Sequence, residues 1–303
     1  MTSAPIDPRS AWDLPGFGGL PPVEQLSDSV TRVLAPNPSH MTLDGTNTYI
    51  VGSAGSGALF VIDPGPPDPV HLGRVQATLA ASDAECAAIL VTHHHLDHSE
   101  AALAWGFRLG ATVWASSAEV AGPEGRLLSP GDPISAGGFS IETVPTPGHT
   151  ADHVSFRLPD ASVLCGDHIL GRGTSVVAWP EGDLVAYLES LRRVRDLGPS
   201  VLYPGHGPHL GENPGAVVDY YLEHRAWREQ AILDALDHDP ALSQAPNQLV
   251  EILYADIDSR LWPAAELSTR AGLVKLSEEG RLPAGSRLPL DSSAPDLSGG
   301  DGS

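Results

Sequence analysis

Positive charge is scarce in this sequence. Lysine occurs once, at Lys275, and Lys and Arg together number 17 against 38 Asp and Glu, a formal net charge of −21. A field of that sign repels a nucleic-acid backbone or an anionic lipid surface unless a local basic patch overrides it. Cysteine is nearly absent as well. Cys86 and Cys165 lie far apart and in no C-x-x-C pattern, which excludes a disulfide framework or a thiolate metal site. Both sit in apolar runs and are expected to be small buried hydrophobes. No apolar run approaches the ~20 residues of a membrane span. The N-terminus, M-T-S-A-P-I-D-P-R-S, lacks the basic start and apolar stretch of a secretory signal. The expectation is a cytoplasmic protein with no membrane partner.

What is present is a chain of 303 residues, 41% hydrophobic, with 32 Gly and 28 Pro. That is enough for one large, loop-rich α/β domain with a small appendage. Residues 1–24 are rich in Pro and Gly and read as an irregular arm, and residues 286–303 as a disordered tail. In between, short apolar runs alternate with helical patterns. Strands are expected at Thr48 to Val51, Ala58 to Ile62, Ala87 to Val91, Thr112 to Ala115, Phe139 to Val144, His153 to Leu158, Ser162 to Cys165 and Val201 to Tyr203. Helices are expected over 69–82 and 99–109, and where Leu184, Leu188, Leu191 and Val194 share one face. This alternation fits a layered α/β domain over residues 25–215. Helical patterns at 215–237, 244–254 and 263–276, with a short β element at Arg281-Leu282, predict a winged-helix-like domain over 216–285.

The strongest chemical signal is Thr92-His93-His94-His95-Leu96-Asp97-His98, where a buried strand runs into a tight loop. Imidazole and carboxylate are the ligands that a borderline ion such as Zn²⁺ prefers. His93 and His95 alternate and can face one point; Asp97 and His98 can face a second. Further segments follow other strand ends: Asp63-Pro64-Gly65, Thr146-Pro147-Gly148-His149-Thr150, Gly166-Asp167 and Tyr203-Pro204-Gly205-His206-Gly207. Each is weak alone, and the ordered set is specific. The small residues beside each histidine or aspartate let the backbone approach a crowded centre.

With these motifs the chain resembles the metallo-β-lactamase superfamily, which implies an αββα sandwich with a binuclear site at one edge. The resemblance assigns His93, His95 and His149 to a first metal and Asp97, His98 and His206 to a second, with Asp167 bridging them. Leu43-Asp44-Gly45-Thr46-Asn47-Thr48-Tyr49, the run from Thr146 to His153, and His224-Arg225 followed by Arg228-Glu229 look like the lactamase-beta-like-2 family, which carries a C-terminal winged helix. Many relatives have two glycines after the histidine motif. Here Glu100 and Ala101 follow Ser99, and Glu100 either alters access to the metals or favours a helix dipole.

The remaining histidines divide. His94 is expected to point away from the metals, and His153 and His168 are candidates for contact with substrate beside the catalytic Asp97. His40, His71, His209 and His238 read as surface residues, and Asp63 as a residue that fixes the loop. The expected cofactor is two Zn²⁺ ions sharing a hydroxide that attacks an ester, thioester, lactone or phosphodiester. A small-molecule or acyl-linked substrate is favoured. The alternatives are a single-strand-specific endoribonuclease, which would make single-stranded RNA a partner, and an iron-dependent oxidoreductase. Residues 222–282 hold eleven acidic against six basic residues, unlike a DNA-reading domain. A stripe of Arg172, Arg192, Arg193 and Arg195 is the one candidate guide for a single strand.

Overall fold

Two mixed β-sheets lie face to face, each covered on its outer side by helices. The computed structural model describes residues 3–131 and 133–288. The first sheet runs in sequence order through β1 (Val23–Gln25), β2 (Val30–Leu34), β3 (Asn47–Val51), β4 (Ala58–Ile62), β5 (Glu85–Leu90), β6 (Thr112–Ala115) and β7 (Arg126–Leu127). It is antiparallel up to β4 and parallel from β4 to β7. The second contains β8 (Pro133–Ala136), β9 (Phe139–Pro145), β10 (Val154–Arg157), β11 (Val163–Gly166) and β12 (Leu202–Pro204), with only β11 and β12 parallel.

Side-chain alternation explains the layering. Along β4, Phe60 and Ile62 face the second sheet, where they meet Phe156 and Leu164 in the central core. Leu59 and Val61 face the other way, onto α1 (Pro69–Ala81) and the helices that follow β5. A strand buried on both faces therefore reads as a continuous apolar run rather than an alternating one. The outer face of the second sheet packs on α5 (Leu184–Asp196) and α6 (Pro214–His238). Asp183 caps α5 by accepting from the Val185 and Ala186 N–H groups, and Pro214 opens α6 where its missing N–H costs nothing.

The expected helix over 99–109 is divided. A single turn, α2 (Leu96–Ser99), precedes α3 (Ala102–Leu109), because the Ala101 N–H donates to the Gly65 carbonyl instead of continuing the helical ladder. Glu100 is exposed at this joint, outside the first turn of α3. A further turn, α4 (Ala118–Ala121), precedes β7.

The C-terminal region consists of the end of α6, α7 (Pro246–Leu253) and α8 (Trp262–Glu278). The expected β element at Arg281-Leu282 is not a strand. The Arg281 N–H donates to the Leu276 carbonyl, closing α8 behind Gly280 at φ +66°. Ala271 of α8 belongs to the same apolar cluster as Tyr187 and Val217, so this region is packed onto the main body. Lys275 is buried against Glu229 of α6 at 2.6 Å.

The arm is less irregular than expected. Residues Pro8–Ala11 form a 3-10 turn, and Val23–Gln25 is an edge strand. Arg9 is buried, donating to the Leu170 and Gly173 carbonyls while paired to Asp7. Of the expected tail, residues 289–303 lie outside the described residues. Both cysteines are buried, as expected, and burial pushes the Cys86 thiol up to about 12. Among the described residues, no helix is long and apolar enough to cross a membrane.

Candidate metal centre

Strands β4, β5, β11 and β12 all end at one edge of the sandwich, and each chain segment leaving that edge carries part of one polar cluster. Asp63 follows β4, the run from His93 to His98 follows β5, Asp167 follows β11 and His206 follows β12. His149 enters from the loop between β9 and β10. All seven residues that the sequence points to come together here.

They form two groups. His93 Nε2 lies 3.1 Å from His95 Nδ1, which lies 3.1 Å from His149 Nε2. His98 Nε2 and His206 Nε2 are 3.3 Å apart, and Asp97 Oδ2 is 3.1 Å from His206 Nε2. Asp167 stands between the groups. Its Oδ1 is 3.4 Å from His98 Nε2, and its Oδ2 is 3.3 Å from His206 and 3.9 Å from His149. The donor atoms within each set lie within 4.8 Å of one another, a spacing at which each set could hold a metal ion.

The opposite edge of every imidazole is fixed by an acceptor. His149 Nδ1 donates to the Val176 carbonyl at 2.7 Å, and His206 Nδ1 to the Gly45 carbonyl at 3.2 Å. His98 Nδ1 donates to Asp63 Oδ2 at 2.9 Å, and His93 Nδ1 to Thr92 Oγ1, which itself donates to Asp63. His95 Nε2 faces Glu181 at 3.4 Å. In a neutral imidazole with one nitrogen protonated, the other carries only a lone pair. The inward nitrogens of His93, His95 and His149 therefore confront one another lone pair to lone pair, an arrangement that a shared cation relieves, while those of His98 and His206 stand against the carboxylates of Asp97 and Asp167. A tetrahedral site with bonds of about 2.0–2.1 Å separates its donors by about 3.3–3.4 Å, close to the spacings here. Asp167 Oδ1 is buried and has no hydrogen-bond partner among the described residues. The donor set thus fits divalent metal.

The electrostatics agree. Burial holds His93 and His149 below the ordinary histidine value. Burial also opposes charge on His206, yet Asp167 and Asp97 raise it to about 9, and the surrounding carboxylates raise His98 as well. Against its burial, Asp97 is held down to about 2 by His98 and His206. The carboxylates draw positive charge to this point.

Crowding explains two glycines. A Cβ on Gly205 would stand 2.4 Å from Asp167 Oδ1 and 2.6 Å from the His98 ring. One on Gly148 would stand 2.3 Å from the Tyr187 backbone, and its φ of +130° also favours glycine.

The other histidines sort by burial. His94 faces outward as expected, between Asp152 and Glu181, each at 2.8 Å. His153 and His168 are fully enclosed and lie behind the cluster. His153 Nδ1 meets Thr146 Oγ1 at 2.8 Å, and its ring packs 5.1 Å from that of His93. The His168 ring lies between those of His153 and Tyr187, and burial lowers it to about 3. His71, expected at the surface, is buried with its Nε2 2.8 Å from Thr48 Oγ1 and its ring against Trp105, because α1 turns that face onto the sheet. The expected arginine stripe is largely committed elsewhere. Arg172 pairs with Asp44, Arg195 with Asp219, and Arg193 donates to the Pro145 carbonyl.

A cavity of about 350 Å³ opens from His149 and Asp167. Its walls come from the loops at 40–43 and 170–176, from α6, and from the segment between Tyr254 and Ser268. Neither the wall residues of α6 nor Glu181 stood out as site residues in the sequence. Arg225 and Arg228 entered only as part of the motif His224-Arg225 followed by Arg228-Glu229, with no role assigned to them.

Residues 41–206 match the family model described as the metallo-beta-lactamase superfamily, and residues 245–284 the beta-lactamase associated winged helix domain. A beta-lactamase-like protein 2 homolog of Drosophila melanogaster is 34% identical over 277 residues, covering 87% of this chain and 92% of that one. The lactamase-like protein nscB of Neosartorya fischeri is 36% identical over 221 residues, covering 72% and 64%. Among solved structures, a metallo-beta-lactamase family protein from Thermus thermophilus superposes with a TM-score of 0.69 at 23% identity, covering 84% of this chain and 95% of that one. A beta-lactamase domain protein from Burkholderia ambifaria gives 0.70 at 19%, covering 89% and 91%, and both likenesses speak to fold. The chain belongs to the metallo-beta-lactamase superfamily and ends in the winged-helix domain associated with it.

Proposed function

We propose that this chain is a binuclear zinc hydrolase acting on an ester, thioester or lactone of a small or acyl-linked substrate. The observation that carries the reading is the set of inward-facing imidazole nitrogens, each held in its tautomer by an acceptor on the far side of the ring. His93, His95 and His149 would hold one ion, Asp97, His98 and His206 the other, and Asp167 both. Two such ions supply a nucleophile from water at neutral pH and polarise the bond to be broken.

The protein's own groups do the rest. The Val176 and Gly45 carbonyls and Asp63 orient the rings. Asp97 and Asp167 stay ionised, since their histidine neighbours hold both well below the usual carboxylate range against burial. Asp97, 31% exposed, is the most accessible of the three side chains proposed to hold the second ion alone. His153 and His168 support the cluster from behind, and neither lines the cavity.

A domain boundary near residue 215 falls at the start of α6, which carries the chain from the sandwich into the C-terminal helices. Those helices would shape substrate choice, because Tyr254 to Ser268 form one wall of the cavity. The cavity has the size of a small-ligand site, and an acidic chain whose expected arginine stripe is largely paired or bonded internally favours a small substrate over RNA. Profiling the purified protein against thioesters, lactones, phosphodiesters and single-stranded RNA tests this. Metal-dependent turnover of an acyl substrate is expected; turnover of RNA alone would overturn the substrate class.

A further inference from the structure

The cavity holds more positive charge than the cluster at its end accounts for. Arg225 and Arg228 stand three residues apart on α6, on one helical face, and both line the cavity. Arg225 is only 8% exposed. It donates Nη2 to the Ser175 carbonyl, lies 5.1 Å from the Tyr187 ring centroid and has a buried Nε without a partner. Arg228 lies 3.8 Å from the Tyr254 ring centroid, donates Nη1 to the Leu253 carbonyl, and likewise has an unpartnered buried Nε. Among the described residues, neither guanidinium is in an ion pair, whereas Arg9, Arg172 and Lys275 each meet a carboxylate. Burial lowers Arg228 and the neighbouring charge of Arg225 lowers it too, against a smaller opposing pull from Tyr254, Tyr220 and the carboxylate of Asp256. Buried charges are held where something pairs with them, and these two adjacent guanidiniums, in a chain of net charge −21, have a carbonyl and a ring each but, among the described residues, no carboxylate at ion-pair distance.

We propose that Arg225 and Arg228 form an anion subsite that binds a carboxylate or phosphate group on the substrate. The guanidinium of Arg225 is bonded to the Ser175 carbonyl, and the next carbonyl along, that of Val176, holds His149. One residue spacing plus two hydrogen bonds therefore puts the Arg225 end of the subsite within about 10 Å of the His149 ring. One short molecule can span both. Its carbon skeleton would lie against Tyr254, Ile257 and Leu261. The planar forks of both arginines suit an oxyanion with two acceptor oxygens. That the same molecule is hydrolysed rests on the proposed function; the anion subsite does not.

The test uses the full, metal-loaded chain. Glutarate and inorganic phosphate are titrated calorimetrically at constant ionic strength, and butyryl and succinyl thioesters of N-acetylcysteamine are compared as substrates. The wild type is expected to bind at least one probe, the better one naming the anion, and to prefer the succinyl thioester through KM. Arg228→Gln should lower both that preference and probe affinity at least tenfold, about 1.4 kcal/mol. Arg228→Lys should restore part, and Arg157→Gln, a surface control, should change neither. If no thioester is turned over but probe binding depends on Arg228, the subsite stands and the thioesterase reading falls. Absence of probe binding, equal probe binding by wild type and Arg228→Gln, or equal loss on both thioesters overturns the subsite. Loss confined to single-stranded RNA would assign the arginines to nucleic acid and overturn it as well.

Discussion

Asp63→Asn is a one-atom change that should silence half of the metal site. Asp63 is buried, at φ +51°, and three donors converge on its carboxylate. The Thr92 N–H meets Oδ1 at 2.8 Å; the Thr92 hydroxyl and His98 Nδ1 meet Oδ2 at 2.8 and 2.9 Å. An asparagine that keeps its oxygen toward the Thr92 N–H presents an NH₂ group to the other two. The threonine hydroxyl can rotate. His98 can answer only by moving its proton from Nδ1 to Nε2, the atom that faces His206 at 3.3 Å. That removes a ligand lone pair from the second ion, whereas the first group is reached only indirectly, through the Thr92 hydroxyl that can go on accepting from His93 Nδ1. Loss of such a supporting hydrogen bond weakens metal affinity about 10–100-fold, or about 1.4–2.7 kcal/mol. Competition with a fluorescent chelator should therefore resolve one tight and one weakened ion in Asp63→Asn, against two tight ions in the wild type. Two ions held as tightly as in the wild type would refute the tautomer argument. Equal weakening of both would mean that Asp63 acts on His93 through Thr92 as strongly as on His98.

Two other predictions follow from the same geometry. Asp167→Ala should lower occupancy of both ions together, His149→Ala mainly the first and His206→Ala mainly the second, as read by metal content after dialysis; full metal and activity in Asp167→Ala would disprove the bridge. Burial holds His71 down to about 4 against an ordinary value of 6.5. The unfolded chain then takes up a proton that the folded core refuses. Stability should fall as pH drops from about 6.5 to about 4, by about 3 kcal/mol from this residue. Denaturant melts at pH 7 and pH 4.5, compared with those of His71→Gln, measure it; an unchanged pH slope in the variant would contradict the assignment.

The two-sided strands and the metal cluster were legible because their signals are local. Ala58 to Ile62 is an apolar run between Gly57 and Asp63-Pro64-Gly65, and it is β4 residue for residue. The histidines sit where strands end, and the parallel order of β4, β5, β11 and β12 brings those ends to one edge. Edge strands were not legible. Val23–Gln25, Arg126–Leu127 and Pro133–Ala136 are short, largely exposed and defined by a neighbour's hydrogen bonds rather than by their own pattern. His71 was misread because one histidine on an amphipathic helix gives no sign of whether it meets a threonine hydroxyl across the core. The arginine pair on α6 was visible only as part of the motif His224-Arg225 followed by Arg228-Glu229. Its surroundings are a tertiary fact, set by Ser175 and by Leu253-Tyr254 from two other parts of the chain.

Metal content measured together with turnover tests most directly whether two zinc ions serve a hydrolytic site. The full chain, purified without added metal, should carry close to two zinc per molecule. Strong chelation should remove both the metal and the hydrolysis, and restored zinc should return both. One tightly bound iron per chain with an oxygen-consuming reaction would contradict the account, as would hydrolysis that survives complete removal of metal.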